Sequence, residues 1–222
     1  MLSKTINRIT IELMIDNKNN GQKRGSYKAG VEKQKKIIDT TRMLIIEEGY
    51  TNFSFRKVAK KVGISVGNLQ HYFATKNELF DAMLKSVIGE YLLTIESLKY
   101  TVGCPEDYLY EVIQYVVKDL TTFETTRFFP ELWSLSNHDE NVDALVQHMY
   151  EEYRKIYAEI AQQINPKIDK ETADSIALFI SSTIEGHAIF IGHDKKYASS
   201  CDKTIKMTYA SAIYIIKEAH LT

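Results

Sequence analysis

The stretch SVGNLQHYFATKNELF, Ser65 to Phe80, sets small, polar and ring-bearing side chains directly ahead of a strongly apolar run. Val66, Asn68, Gln70 and His71 place an apolar surface and three hydrogen-bonding heads on one short helix, and Gly67 removes a side chain where a second surface would come closest. Heads of this kind can address base edges, and a helix carrying them fits a major groove about 12 Å wide. The N-termini of this helix and the next offer free N–H groups to phosphate oxygens. Lys76 adds a full charge at the second of these ends, where it opposes the helix dipole, a mild cost that makes sense if an anion arrives. The chemistry on offer is recognition of a polyanion. No nucleophile–base constellation and no glycine-rich phosphate loop is visible, so an enzyme is not expected. His138, His148, His187 and His193 lack ligand spacing for zinc, and neither a metal nor a cofactor is expected.

These residues depend on local elements to place them. Ser54 caps a short helix, Phe55 to about Val62, whose Phe55, Val58, Ala59 and Val62 should face inward. Gly63 permits a tight left-handed turn, and Ser65 caps a third helix ending near Phe73. TKNE is a capping box with Thr75 at the cap and Glu78 three residues on, opening a long helix to about Lys99. Before them, Ile37, Thr41, Leu44 and Ile45 share one face of a first helix from about Val31, which Gly49 stops. Further helices are expected from Pro105, over about Glu124–Ser136 with a kink or start at Pro130, over about Asn141–Ile164, after the cap Asp169, and over about Lys203–Ala219. The count is three short helices and six longer ones, an all-α chain.

The whole chain of 222 residues is 44% hydrophobic and 26% charged, an ordinary globular composition. No stretch is expected to reach the apolar length of a membrane span, and ITIELMID, broken by Glu12 and Asp16, does not read as a signal peptide. Cys104 and Cys201 are isolated and read as structural thiols of a cytoplasmic protein. Near-zero net charge hides an asymmetry: 15 Lys+Arg face 6 Asp+Glu up to Lys76, and 13 face 23 beyond it. A basic head on an acidic body points the head at a polyanion. Residues 1–30, with NKNNGQKRGSYKAG, read as a flexible basic arm, followed by a DNA-binding domain over 31–76 and a second domain over 77–222.

GISVGNLQHYFATKNELF resembles the pattern of TetR-type transcriptional repressors: a glycine turn, Ser-x-Gly-x-Leu, an aromatic pair ending in Phe, then Ser/Thr-Lys-x-x-Leu. The resemblance covers about Val31 to Tyr91. It implies a three-helix DNA-binding head, a linking fourth helix, and a helical body that binds a small molecule and dimerises. Carried over, it implies that Ser54, Arg56, Ser65, Tyr72, Thr75 and Lys76 touch phosphates, while Val66, Asn68, Gln70 and His71 sit near base edges, with Gly67 between them. Gln70 departs from the Tyr frequent at that place, and Gln can pair adenine through two hydrogen bonds. KRGSYK, ahead of the first helix, reads either as a minor-groove or phosphate arm or as a disordered leader.

In the body, RFFPELW and MYEEYRKIY point to a cavity for an apolar or aromatic effector, lined by Phe129, Trp133, Tyr150, Tyr153, Phe179 and His187. The last two long helices, carrying Thr183, Ile191, Ile205, Ile213 and Ile216, suit an antiparallel pair that meets its copy in a four-helix interface. The expected protein is a dimer on a palindromic double-stranded operator, released by a small effector, without a membrane partner. The competing readings are a helical enzyme or carrier with an incidental basic head, and an interaction module that binds no DNA.

Overall fold

The computed structural model describes residues 24–219. The expectations for residues 1–23, including most of the basic arm, lie outside the described residues. Nine α-helices follow one another among the described residues, with no strand. They divide into two compact units at Leu93/Thr94.

The first unit opens with α1 (Arg24–Glu48), which starts seven residues earlier than the sequence pattern indicates. Gly25 and Gly30 read as breakers, yet a helical glycine costs only about 1 kcal/mol and the Lys, Glu and Gln that follow are good helix formers. Gly49 ends the helix at φ 80°, and its N–H donates to the Ile45 carbonyl at 2.9 Å. α2 (Phe55–Val62) begins at Ser54, whose hydroxyl accepts from the Lys57 N–H at 3.4 Å. Val58, Ala59 and Val62 are buried as expected, whereas Phe55 is only half-buried. Gly63 then takes the left-handed conformation, φ 81° and ψ 41°, which a side chain would strain. α3 (Val66–Gln70) is a single turn and a half, ending three residues before the expected Phe73.

α4 (Lys76–Leu98) crosses the division between the units. The sequence reading set that boundary after Lys76. Leu79, Phe80, Met83 and Leu84 are instead buried, and the Phe80 ring stands edge-on to Tyr50 with centroids 4.9 Å apart. The start of this helix is thus core of the first unit.

The second unit holds α5 (Pro105–Leu120), α6 (Phe123–Ser136), α7 (Glu140–Ile164), α8 (Lys170–Ile191) and α9 (Cys201–Glu218). Local caps start most of them: Thr122 accepts from Thr125, Asp139 from Asn141 and Val142, and Asp169 from Thr172. Cys104 occupies the cap position of α5, its sulfur accepting from the Asp107 N–H at 3.5 Å. α6 runs through Pro130, which lies at an exposed position. α7 packs most extensively on α8, and α5 on α9. The core between them is Leu109, Val112, Ile113, Met149, Tyr157, Ile160, Ile176, Ile180 and Ile184.

One expectation is corrected here: α8 has the length and apolarity of a membrane span, with mean hydropathy 1.2 over its best window. Its apolar residues lie on every side because it serves two surfaces. Ala173, Ile176, Ala177, Ile180 and Ile184 are buried, while Leu178, Phe179, Ile189 and Phe190 face outward.

Candidate nucleic-acid interface and the aromatic cluster of the body

α3 is held in place by one side chain and presents the rest. Leu69 is fully buried, worth about 1.5–3 kcal/mol. Phe73, also buried, closes the turn by donating its N–H to the Leu69 carbonyl at 3.1 Å. Val66, Gly67, Asn68, Gln70 and His71 are exposed together. Ser65 caps the helix, accepting from the Asn68 N–H at 3.1 Å. A Cβ at Gly67 would meet only the Ser65 hydroxyl at 4.0 Å, so nothing inside the protein requires glycine there.

The flanking phosphate candidates surround this helix. Ser65, Thr75 and Arg56 are exposed, and Ser54 and Tyr72 are half-buried. Thr75 accepts from the Glu78 N–H at 3.1 Å, while the Glu78 carboxylate accepts from Ala74 at 2.8 Å, one residue before the position a standard capping box uses.

Lys76, expected from the sequence to meet a phosphate, is half-buried. Its ammonium lies 4.4 Å from the Tyr50 ring centroid and 4.9 Å from that of Phe53. Lost hydration there lowers its pKa below the ordinary lysine value, and the ring faces offset part of that cost. Two other lysines are already paired: Lys57 with Glu48 at 2.7 Å, and Lys61 with Glu47. They tie α2 to the end of α1, so part of the basic charge counted in the sequence braces the fold.

In the second unit, four of the six expected lining residues are linked by contacts. Phe129 and Trp133 rings stand 6.3 Å apart, the indole N–H of Trp133 donates to the Tyr150 hydroxyl at 2.9 Å, and Tyr150 and Tyr153 rings are 6.4 Å apart. The Tyr153 hydroxyl shares a hydrogen bond with that of Tyr157 at 2.9 Å. The other two lie elsewhere. Phe179 points outward at 47% exposure, and His187 bonds Thr208 on α9 at 3.1 Å. Burial pushes the His187 imidazole down.

Sequence reasoning missed Glu185. Its carboxyl is raised from 4.5 to about 7, chiefly by lost hydration and secondarily by the Asp119 charge, with the neighbouring Tyr150 phenol opposing both. A signal was present: Glu185 is the only acidic residue between Ile176 and Ile191. Among the described residues, no group of His, Cys, Asp and Glu is arranged to hold a metal ion.

Of the interface residues expected, Ile191, Ile205 and Ile216 are buried within the chain, and Thr183 and Ile213 are half-buried. The outward apolar residues of these helices are Leu178, Phe179, Ile189 and Phe190 on α8, with Met207 and Tyr214 on α9. Both helices are apolar on more than one side, so periodicity alone could not separate the two surfaces.

Residues 37–83 match the family model described as bacterial regulatory proteins, tetR family. The regulator BetI of Pectobacterium atrosepticum is 23% identical over 188 residues, 80% of this chain and 90% of that one. PksA of Bacillus subtilis is 30% identical over 102 residues, 46% of this chain and 48% of that protein. A transcriptional regulator of Saccharomonospora viridis, solved in complex with choline, shares the fold with TM-score 0.67 at 16% identity, over 84% of this chain and 96% of that one. The matched span contains α2, α3 and every cap that presents them, and the all-α fold beyond it is the one such regulators share: the chain carries the TetR-type helix-turn-helix head of a transcriptional regulator.

Proposed function

We propose that the protein represses transcription by binding a palindromic operator as a homodimer, and that a small effector entering the helical body releases it. The observation that carries the reading is Gly67, exposed on α3 with open space around it, where only an approaching partner has use for a missing side chain. Val66, Asn68, Gln70 and His71 then face base edges, with Gln70 suited to adenine. Ser54, Arg56, Ser65, Tyr72, Thr75 and Lys76 hold phosphates, fixing register without reading sequence. The protein acts in the cytoplasm, where its DNA is, and catalyses no reaction.

The copy-to-copy surface is formed by the outward residues of α8 and α9. From Ser175 to Phe190 the outward stripe of α8 carries Leu178, Phe179, Ser182, Gly186 and Ile189 without a charge. An apolar stripe of this length is costly to leave in water, and a second copy covers it by twofold symmetry. The effector site is supported by the linked rings of Phe129, Trp133, Tyr150 and Tyr153.

Selection of bound duplexes from a random pool tests the operator reading. The expected product is a twofold palindrome whose half-sites lie about 34–36 Å apart or a multiple of it, bound with a steep salt dependence. A pool that shows no enrichment, or enriched duplexes bound independently of salt, would remove DNA recognition as the function.

A further inference from the structure

Three rings of the first unit gather beneath one charge. The short helical turn Tyr50–Asn52 follows Gly49, and the Phe53 N–H closes it by donating to the Tyr50 carbonyl at 3.0 Å. That turn sets the Tyr50 and Phe53 rings 6.1 Å apart. Phe80, buried on α4, backs both, edge-on to Tyr50 at 4.9 Å and tilted to Phe53 at 6.4 Å. Lys76 lies four residues before Phe80 on the same face of α4, and its ammonium stands over the Tyr50 ring at 4.4 Å and the Phe53 ring at 4.9 Å. Among the described residues no carboxylate pairs with it. Lys57 and Lys61 are held differently: a glutamate fixes each and cancels its charge. Ring faces attract a cation through their quadrupole and leave its full charge to meet an anion.

We propose that Tyr50 and Phe53 are positioning residues for DNA binding, seating the Lys76 ammonium in the free protein, ready for a phosphate oxygen and not neutralised. The proposal rests on the reading of the head as a DNA-binding module, and it extends that reading to two residues outside the helix-turn-helix. A lysine without a seat gives up rotamer freedom when it meets the phosphate, which weakens binding about two- to tenfold for each side chain ordered. A seated lysine has given up that freedom on folding. Because a phosphate carries no sequence information, the seat strengthens binding to every duplex alike. Tyr50 is the residue to perturb, since it is half-buried, whereas Phe53 is 2% exposed and its loss would open the core.

The test titrates the selected duplex and a scrambled one with full-length protein, Tyr50→Leu, Tyr50→Phe, Lys76→Ala and the Tyr50→Leu, Lys76→Ala double variant. Tyr50→Leu should weaken both duplexes about two- to tenfold for each head bound. Tyr50→Phe keeps a ring face and should stay within about twofold of the parent. In the Lys76→Ala background Tyr50→Leu should add nothing, because its effect passes through the lysine. Thermal melts establish that the variants are folded. In the parent without DNA, the terminal methylene protons of Lys76 should resonate upfield of those of other lysines, shifted by the ring currents, and this measurement decides even where Tyr50→Leu does not fold. If those protons resonate among the other lysines, or if folded Tyr50→Leu binds both duplexes like the parent, the seat is overturned. It is equally overturned if Tyr50→Leu weakens binding as much without Lys76 as with it, or if Tyr50→Phe weakens binding as much as Tyr50→Leu. A parent that binds its duplex while these variants fail removes the seat alone. A parent that binds no duplex removes the DNA reading, and the seat's role with it.

Discussion

Replacing Glu185 by Gln should change the sign of its effect on stability with pH. In the folded protein the carboxyl is raised from 4.5 to about 7, because burial strips its hydration and Asp119 adds negative charge, with the neighbouring Tyr150 phenol opposing both. Between these values the folded state binds a proton that the unfolded state has lost, so wild-type stability falls as pH rises through this window. At about 1.36 kcal/mol for each tenfold change, the full cost above pH 7 is about 3 kcal/mol. Gln carries no charge and escapes that cost. Gln keeps an oxygen that can accept but adds an NH2 to be hydrogen-bonded in the same buried place, a loss of about 1 kcal/mol at every pH. The variant should therefore be about 1 kcal/mol less stable than the parent near pH 4.5 and about 2 kcal/mol more stable at pH 8. Urea unfolding at half-unit pH steps, without effector, measures the difference. If that difference stays constant from pH 5 to pH 8, Glu185 is fully hydrated and the reasoning fails.

The other expectations concern the two surfaces. Gly67→Ala should leave the melting temperature unchanged or slightly raised, since helix propensity improves by up to about 1 kcal/mol and its Cβ has room. It should nonetheless weaken duplex binding, and an unchanged duplex affinity would place DNA away from α3. Gln70→Ala should cost about 1–3 kcal/mol on the selected duplex and relax one base pair per half-site, read by titration against single-base variants. Lys76→Ala should weaken all duplexes alike and lower the salt slope by about one, with a small loss of head stability from the Tyr50 and Phe53 rings. Equal weakening of cognate and scrambled duplexes by Gln70→Ala would reverse these assignments. Ile189→Asp, at a position 67% exposed, should yield folded monomers by light scattering, whereas an intact dimer would put the interface on another face.

The sequence by itself determined whatever depends on neighbours along the chain. Ser54, Ser65 and Asp169 each cap a helix by accepting from the N–H three residues on, a contact closed within one turn and legible from residue order. Gly49 and Gly63 stop their helices at positive φ for equally local reasons. The exposure of Asn68, Gln70 and His71 followed as well, because a turn and a half with one buried leucine has only one face to hide.

Tertiary structure decided what depends on neighbours far apart in the chain. Lys76 reads in the sequence as a charge placed for a phosphate, and only the fold brings Tyr50 and Phe53 beneath it from 23 residues or more away. Ile191, Ile205 and Ile216 read as an outer interface because α8 and α9 are apolar on several sides, and only packing on α5 and α7 assigns each isoleucine to a surface. Glu185 looks in the sequence like a stray charge on an apolar helix, and its carboxyl is raised only because the packing of the second unit strips its hydration. Helical periodicity records which residues share a face. Which partner that face meets is set by the folding of the whole domain.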